Sequence, residues 1–126
     1  MGLTISAQTV EFVGRVLTDL KNRTQLQQVT EHRQYLVMVP RTPQREAVWA
    51  ELREAVKEAA GGVLCGTTKQ EWSIALPGAT IRVMAGTCTT LDGLRLNGVW
   101  TQPGEYPDKV HLAIRTGRLA CNGWWM

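Results

Sequence analysis

The sequence of 126 residues predicts an α/β protein. An apolar run, YLVMV at residues 35–39, passes through a proline into a helical pattern, which is typical of a strand-to-helix unit. Further along, apolar and polar residues alternate on both sides of a Pro-Gly pair and predict a β-hairpin. Because a chain of this length can bury one hydrophobic core, we expect residues 1–126 to form a single small α/β domain.

Residues 5–23 predict an N-terminal helix. Apolar residues recur there at helical spacing, and Thr4 or Ser6 can cap the first turn. The polar stretch 24–33 that follows is predicted to be a loop. The apolar residues that we expect to be buried are Val10, Phe12, Val13, Val16, Leu17 and Leu20.

Residues 35–39 predict a strand that is buried on both faces, because its apolar side chains follow one another without alternation. Thr42 is the predicted cap of the next helix, and Pro43 fits its first turn. The pair Gly61-Gly62 is expected to end this helix. Its predicted buried stripe consists of Ala47, Val48, Leu52, Val56 and Ala59.

The segment EWSIALPGATIRVMAG, residues 71–86, gives the clearest local signal in the chain. Pro77-Gly78 suits the two central positions of a type II turn, so we expect a hairpin there. Short strands are predicted before it, at 62–66, and after it, at 94–100. The segment 106–120 fits both a strand and a helix, and Pro107-Asp108 favours a helix that continues through Leu119.

Composition limits the function only weakly. A net charge of +3 permits an anionic partner without requiring one. Three cysteines without close spacing predict reduced thiols in a cytoplasmic protein. The N-terminus lacks the pattern of a signal peptide, and no apolar run approaches the ~20 residues that a membrane-spanning helix needs.

Four motifs follow one another between Tyr35 and Trp125: VPRTPQ, IALPGATIRVMAG, LDGLRLNGV and EYPDKVHLAIRTGRLACNGWW. In this order they resemble the middle of the ATPase domain in the large subunit of tailed-phage terminases, the motors that package DNA. That family has a strand ending in a Pro-Thr-like turn with a Gln before a long helix, then a hairpin. An Asp-x-Leu-Arg segment follows, matched here by Asp92, Leu94 and Arg95, and then a helix ending near Gly-Trp.

Two departures from that family indicate that the chain does not hydrolyse ATP on its own. No G-x-x-x-x-G-K-[ST] motif occurs, so the chain has no loop to surround a phosphate with backbone N–H groups. Thr101 and Gln102 stand where the family has its acidic magnesium ligands. The sequence also shows no convergent acid, base or nucleophile, so we expect no catalytic residues, no metal and no cofactor.

The resemblance implies that the turn after the first strand touches DNA or couples to it. The candidate nucleic-acid-binding residues are Arg41, Thr42, Gln44, Arg45 and Arg95. The alternative is a solvated helix start capped by Thr42, with Arg95 as an ordinary surface charge. Contacts to phosphate alone should be weak and sensitive to salt.

Trp124 and Trp125 either fold back onto the core or anchor a partner. In the resembled fold, the strand that carries the phosphate loop would cover the 95–101 strand. Since that motif is missing, we expect 95–101 to be an open edge that pairs with a second copy. The prediction is a homo-oligomer with both tryptophans at its interface.

Two functions remain open. The first is a non-catalytic protein of phage or mobile-element origin, located in the host cytoplasm, that binds DNA or a packaging or other protein partner. The second is an unrelated small α+β binding or regulatory module. Strand order separates them, because a parallel sheet with 35–39 beside 95–101 supports the first and an antiparallel meander supports the second.

Overall fold

A computed structural model describes residues 6–25, 32–60, 66–68, 72–86, 94–115 and 119–126. Its helices are α1 (Ala7–Gln25), α2 (Thr42–Ala60) and α3 (Asp108–Arg115). Its strands are β1 (Arg33–Val39), β2 (Gly66–Thr68), β3 (Ser73–Leu76), β4 (Ala79–Ala85), β5 (Leu94–Thr101) and β6 (Leu119–Trp125). Within these ranges no helix is long and apolar enough to cross a membrane.

The six strands form one mixed sheet in the order β2-β3-β4-β1-β5-β6. β1 is parallel to both of its neighbours, β4 and β5, and β5 is parallel to β6. β2, β3 and β4 pair antiparallel. The predicted α/β class, with an N-terminal helix, a strand–helix unit and a hairpin, is confirmed.

Helices cover both faces of the central strand. Tyr35, Val37 and Val39 pack against α1 and α2, whereas Leu36 and Met38 belong to a second cluster with Val110 of α3. None of these five strand residues exposes more than 1% of its surface. The predicted burial of residues 35–39 on both faces is therefore confirmed.

Helix α1 begins where Ser6 caps it. The Thr9 N–H donates to Ser6 Oγ at 3.2 Å, which confirms the predicted cap at Ser6, and Thr4 lies outside the described residues. The buried stripe is Thr9, Phe12, Val13 and Val16, at i, i+3, i+4 and i+7. Val10 is 58% exposed, so its predicted burial was wrong, because it lies about 100° around the helix from Thr9.

Helix α2 matches the predicted segment, and its predicted stripe is confirmed at Leu52 and Val56, with Val48 partly buried against the core. The prediction was wrong at Ala47 and Ala59, which are exposed, and Trp49 and Ala55 are buried with Leu52 and Val56. The large indole of Trp49 sets the rotation of the helix, because its Nε1 donates to the carbonyl oxygen of Ser73 at 3.1 Å. The predicted loop at 24–33 was wrong at its two ends, because 24–25 belong to α1 and Arg33 begins β1. Residues 26–31 and the predicted stop at 61–62 lie outside the described residues.

The hairpin is confirmed. β3 and β4 pair across Pro77-Gly78, and Gly78 has a φ of +75°, close to the value that a type II turn requires at its third residue. The short strand before it begins at Gly66, and residues 61–65 lie outside the described part of the chain.

The C-terminal segment differs from its prediction. α3 ends at Arg115, and Leu119 begins strand β6 instead of continuing the helix. β6 pairs with β5, so the expectation that 95–101 is an open edge was also wrong. The physical reason is that α3 crosses over the sheet and returns the chain to a position parallel to β5.

A single carboxylate oxygen joins the first helix to the last strand. Asp19 Oδ2 on α1 accepts hydrogen bonds from the Tyr35 hydroxyl and from Trp124 Nε1, each at 3.1 Å. Arg33 Nη1 lies 3.4 Å from the same oxygen. The Trp124 ring lies over Gly98, where a Cβ would come within 2.6 Å of it, and packs 5.5 Å from the Phe12 ring.

We predict that Asp19→Ala destabilises the fold by about 1–3 kcal/mol, because it leaves partly buried donors on Tyr35 and Trp124 without an acceptor. Urea denaturation measures this loss. Glu11→Ala is the matched control, since its ion pair with Arg15 on the same helix is exposed and should cost less than about 0.5 kcal/mol. Equal losses in the two variants would contradict the role given to Asp19.

Candidate functional site at the carboxyl ends of β1 and β5

The chain leaves the ends of β1 and β5 in opposite directions. The loop after β1 leads to α2 on one face of the sheet, and the loop after β5 leads to α3 on the other. Within the sheet, β4 lies beside β1 and β6 lies beside β5, on opposite sides of the β1–β5 pair. When the connections after two neighbouring parallel strands lead to opposite faces of the sheet, a crevice opens beyond the carboxyl ends of the strands. Ligands of α/β proteins bind in such crevices.

A crevice of about 510 Å³ lies at this point. Pro40, Arg41 and Gln44, from the β1–α2 junction, form one wall. The opposite wall is the loop 103–107, with the sequence PGEYP.

Hydrogen bonds fix the two walls against the sheet. The Gln102 N–H donates to the Met38 carbonyl oxygen at 2.9 Å, which continues the β1–β5 pairing into the loop. The Tyr106 hydroxyl lies 2.9 Å from the same oxygen and 2.6 Å from the Gln102 carbonyl oxygen. Gly104 has a φ of +145°, and a Cβ there would overlap the ring of Pro40. The loop therefore needs glycine at this position.

Tyr106 is a hydrogen-bond donor in this site. Burial raises the pKa of its phenol to about 12, despite the opposing effect of its hydrogen bond to Gln102. The hydroxyl therefore stays protonated at neutral pH, so it cannot act as a base there.

The start of α2 is capped from within the candidate site. Gln44 Oε1 accepts the Arg41 N–H at 3.1 Å, and the Gln44 N–H donates to the Arg41 carbonyl oxygen at 3.1 Å. This reciprocal pair places the cap at Arg41, so the prediction of Thr42 as the cap was wrong by one residue. Thr42 is the first residue of the helix, and Pro43 lies in the first turn as predicted.

Only part of the predicted nucleic-acid set comes together. Arg41 and Gln44 line the crevice, and Thr42 is exposed beside them. Arg45 lies with its guanidinium carbon 4.9 Å from the centre of the Trp72 ring. Arg95 is the second residue of β5, roughly 20 Å from the carboxyl end at 3.3 Å per residue, so the length of the strand separates it from the others.

The two C-terminal tryptophans have different surroundings. Trp124 packs against Phe12 and Tyr35 within its own chain. Trp125 is 43% exposed on β6. The exposed part of Trp125 is therefore open to solvent in the described structure.

The crevice offers binding groups of both charges. Arg41 supplies a cation and Glu105 an anion, while Thr101 and Gln102 at the end of β5 are neutral. No group of three or more potential metal-binding side chains occurs among the residues that the structure describes. This arrangement can bind a polar or anionic surface group.

Comparisons with protein-family models, curated proteins and solved structures give no match for this chain. The geometry of the crevice therefore carries the functional argument.

Sequence reasoning missed the second wall of the crevice. The Pro-Gly pair at 103–104 signalled a turn, but only the pairing of β5 with β1 places that turn against Pro40. Tyr106 carried no local signal, because its partners lie four and 68 residues away.

The phenols give a test by pH titration. The chain has two tyrosines, and burial is the main cause that raises the pKa of both Tyr35 and Tyr106 from 10.0 to about 12. Ultraviolet titration of the native protein should show no phenolate near pH 10 and a step near pH 12. In denaturant both should ionise near the ordinary value of about 10.

The raised pKa values of the two phenols also make the free energy of unfolding depend on pH. Because the native state holds both protons more tightly, this contribution to stability is fully present below pH 10 and is lost as the pH rises through about 12. A native phenolate step near pH 10 would contradict the burial of these hydroxyls.

Proposed function

We propose that this chain is a non-catalytic binding module, built like part of a packaging-motor ATPase core, that contacts DNA phosphates at the crevice beyond β1 and β5. The observation that supports this proposal most is the parallel pairing of β1 with β5 in one sheet. An unrelated module with an antiparallel meander would not have that pairing. The origin in a phage or mobile element, and the place in the host cytoplasm, belong to the same proposal.

Charge at the crevice limits the strength of such a contact. Arg41 is exposed and can reach a phosphate, and the N-terminus of α2 adds a partial positive charge. Glu105 on the opposite wall repels the same phosphate. A weak, salt-dependent affinity without base recognition fits this balance.

A protein partner is the second part of the proposal. The expected self-association at 95–101 has lost its basis, because β6 covers that strand. Trp125 on β6 now supports a contact with a second copy or a packaging subunit.

Opposite effects are predicted for the two charged residues of the crevice. Arg41→Ala should weaken binding to duplex DNA by about two- to fivefold, and Glu105→Gln should strengthen it by a similar factor. Fluorescence anisotropy with a labelled duplex measures both. The slope of log K against log salt should fall by about 0.9 in Arg41→Ala, because one phosphate contact is lost.

Arg82→Ala is the matched control, since it removes one exposed positive charge from β4, outside the crevice. If it weakens binding as much as Arg41→Ala, the affinity is diffuse and the crevice is not the site. ATP turnover by the wild-type chain would contradict the non-catalytic part of the proposal.

A further inference from the structure

Two exposed apolar side chains lie on opposite faces of the sheet. Val10 is 58% exposed on α1, which covers one face together with α2. Leu112 is 49% exposed on α3, which covers the other face. Single exposed apolar side chains are ordinary on protein surfaces. The surroundings of these two, however, are complementary in shape and in charge.

Val10 lies at the rim of a groove between α1 and α2. Val13 and Ala55 are buried and line the bottom of this groove, while Glu58 and Ala59 line it from the end of α2 and are exposed. Its volume is about 210 Å³, and we call it the α1–α2 groove. Since an apolar cavity of roughly 150 Å³ accepts a molecule of the size of benzene, this groove has room for one leucine side chain.

Leu112 projects from the outer side of α3. Val110 is 1% exposed and packs against the sheet within the cluster beneath this helix. Two residues further along a helix correspond to a rotation of about 200°, so Leu112 points away from that cluster. The exposed apolar surface of Leu112 is therefore presented outward, where a second molecule can meet it.

The charges beside the two features favour contact between them. Glu58 is the charged residue of the groove lining. Lys109 is exposed three residues before Leu112, which places it on the same side of α3. Asp108 is also exposed near that side and carries the opposite charge. Attraction between Lys109 and Glu58 therefore sets the direction in which α3 lies across the groove, with Asp108 away from Glu58.

We propose that Leu112 of one copy of this chain binds in the α1–α2 groove of a second copy, with Lys109 beside Glu58 of that copy. This inference deepens the protein-partner part of the proposed function and is independent of the DNA contact. Because the groove and Leu112 lie on opposite faces of the sheet, the contact is heterologous, and a third copy can add to the first two. An interface centred on one side chain is small, so the association is weak and head to tail.

Sedimentation velocity of the full chain, from roughly 10 to 500 μM, covers the range of weak association. The weight-average sedimentation coefficient of the wild type should rise with concentration. Leu112→Asp and Val10→Asp should each weaken self-association at least about tenfold, because the contact would bury a carboxylate without a hydrogen-bond partner. Thr18→Asp is the matched control, since it adds the same charge at an exposed position of α1 outside this groove.

A mixture of the two variants separates loss of the contact from a folding defect. Leu112→Asp retains the groove and Val10→Asp retains Leu112, so an equimolar mixture should form a dimer and grow no further. Ala59→Asp changes the same groove at a second exposed position and should pair with Leu112→Asp in the same way. The urea midpoints of the three variants, compared with that of the wild type, show that each is folded.

A wild-type chain that stays monomeric at every concentration overturns this inference. Mixtures of Leu112→Asp with both groove variants that contain no dimer also overturn it. Self-association that is lost in Trp125→Ser and kept in Leu112→Asp overturns the groove contact and leaves the proposed contact at Trp125 standing. Arg41→Ala tests the DNA contact separately, because it changes neither Leu112 nor the groove.

Discussion

The carboxylate of Asp19 is the contact on which the arrangement of the sheet most depends. It binds the central strand through Tyr35 and the last strand through Trp124, a residue 105 positions away in the sequence. The indole of Trp124 then closes over Gly98 of β5, where any side chain would collide with it. These contacts hold the C-terminal strand in place, so β5 lies between two parallel neighbours.

The position of the candidate site follows from this strand order. α2 lies on one face and α3 on the other, as right-handed crossovers in opposite directions require. The loops that begin these crossovers must part between β1 and β5, and Gly104 and Tyr106 then fix one loop against Pro40 and Met38.

What could be predicted from the sequence depended on local signals. The strand at 35–39 and the Pro77-Gly78 hairpin have strong patterns of their own, and both were confirmed. β6 has no alternating pattern of its own. Its pairing with β5 shifts register beside Asn97, where Gly123 approaches the backbone too closely for a side chain. Apolar periodicity predicted helix α1 but not which side of it is buried, because packing against α2 and the sheet determines that side.

The residues of the candidate site also divide into those with a local sequence signal and those without one. Arg41 and Gln44 were found because a strand, a proline and a helix start adjoin in sequence. Tyr106 was missed because pairing between distant strands brings it to the crevice. Asp19 has no local signal within the predicted helix 5–23, because the donors that reveal its role lie 16 and 105 residues away.

The proposed contact of this chain with DNA lies at the crevice beyond the carboxyl ends of β1 and β5. Titration of the ¹⁵N-labelled protein with a short duplex, followed by NMR, tests it most directly. We expect the largest amide shifts on Arg41, Gln44 and Gly104, which line the crevice. Shifts confined to the β3–β4 hairpin or to β6, with the amides of Arg41 and Gln44 unmoved, would contradict it.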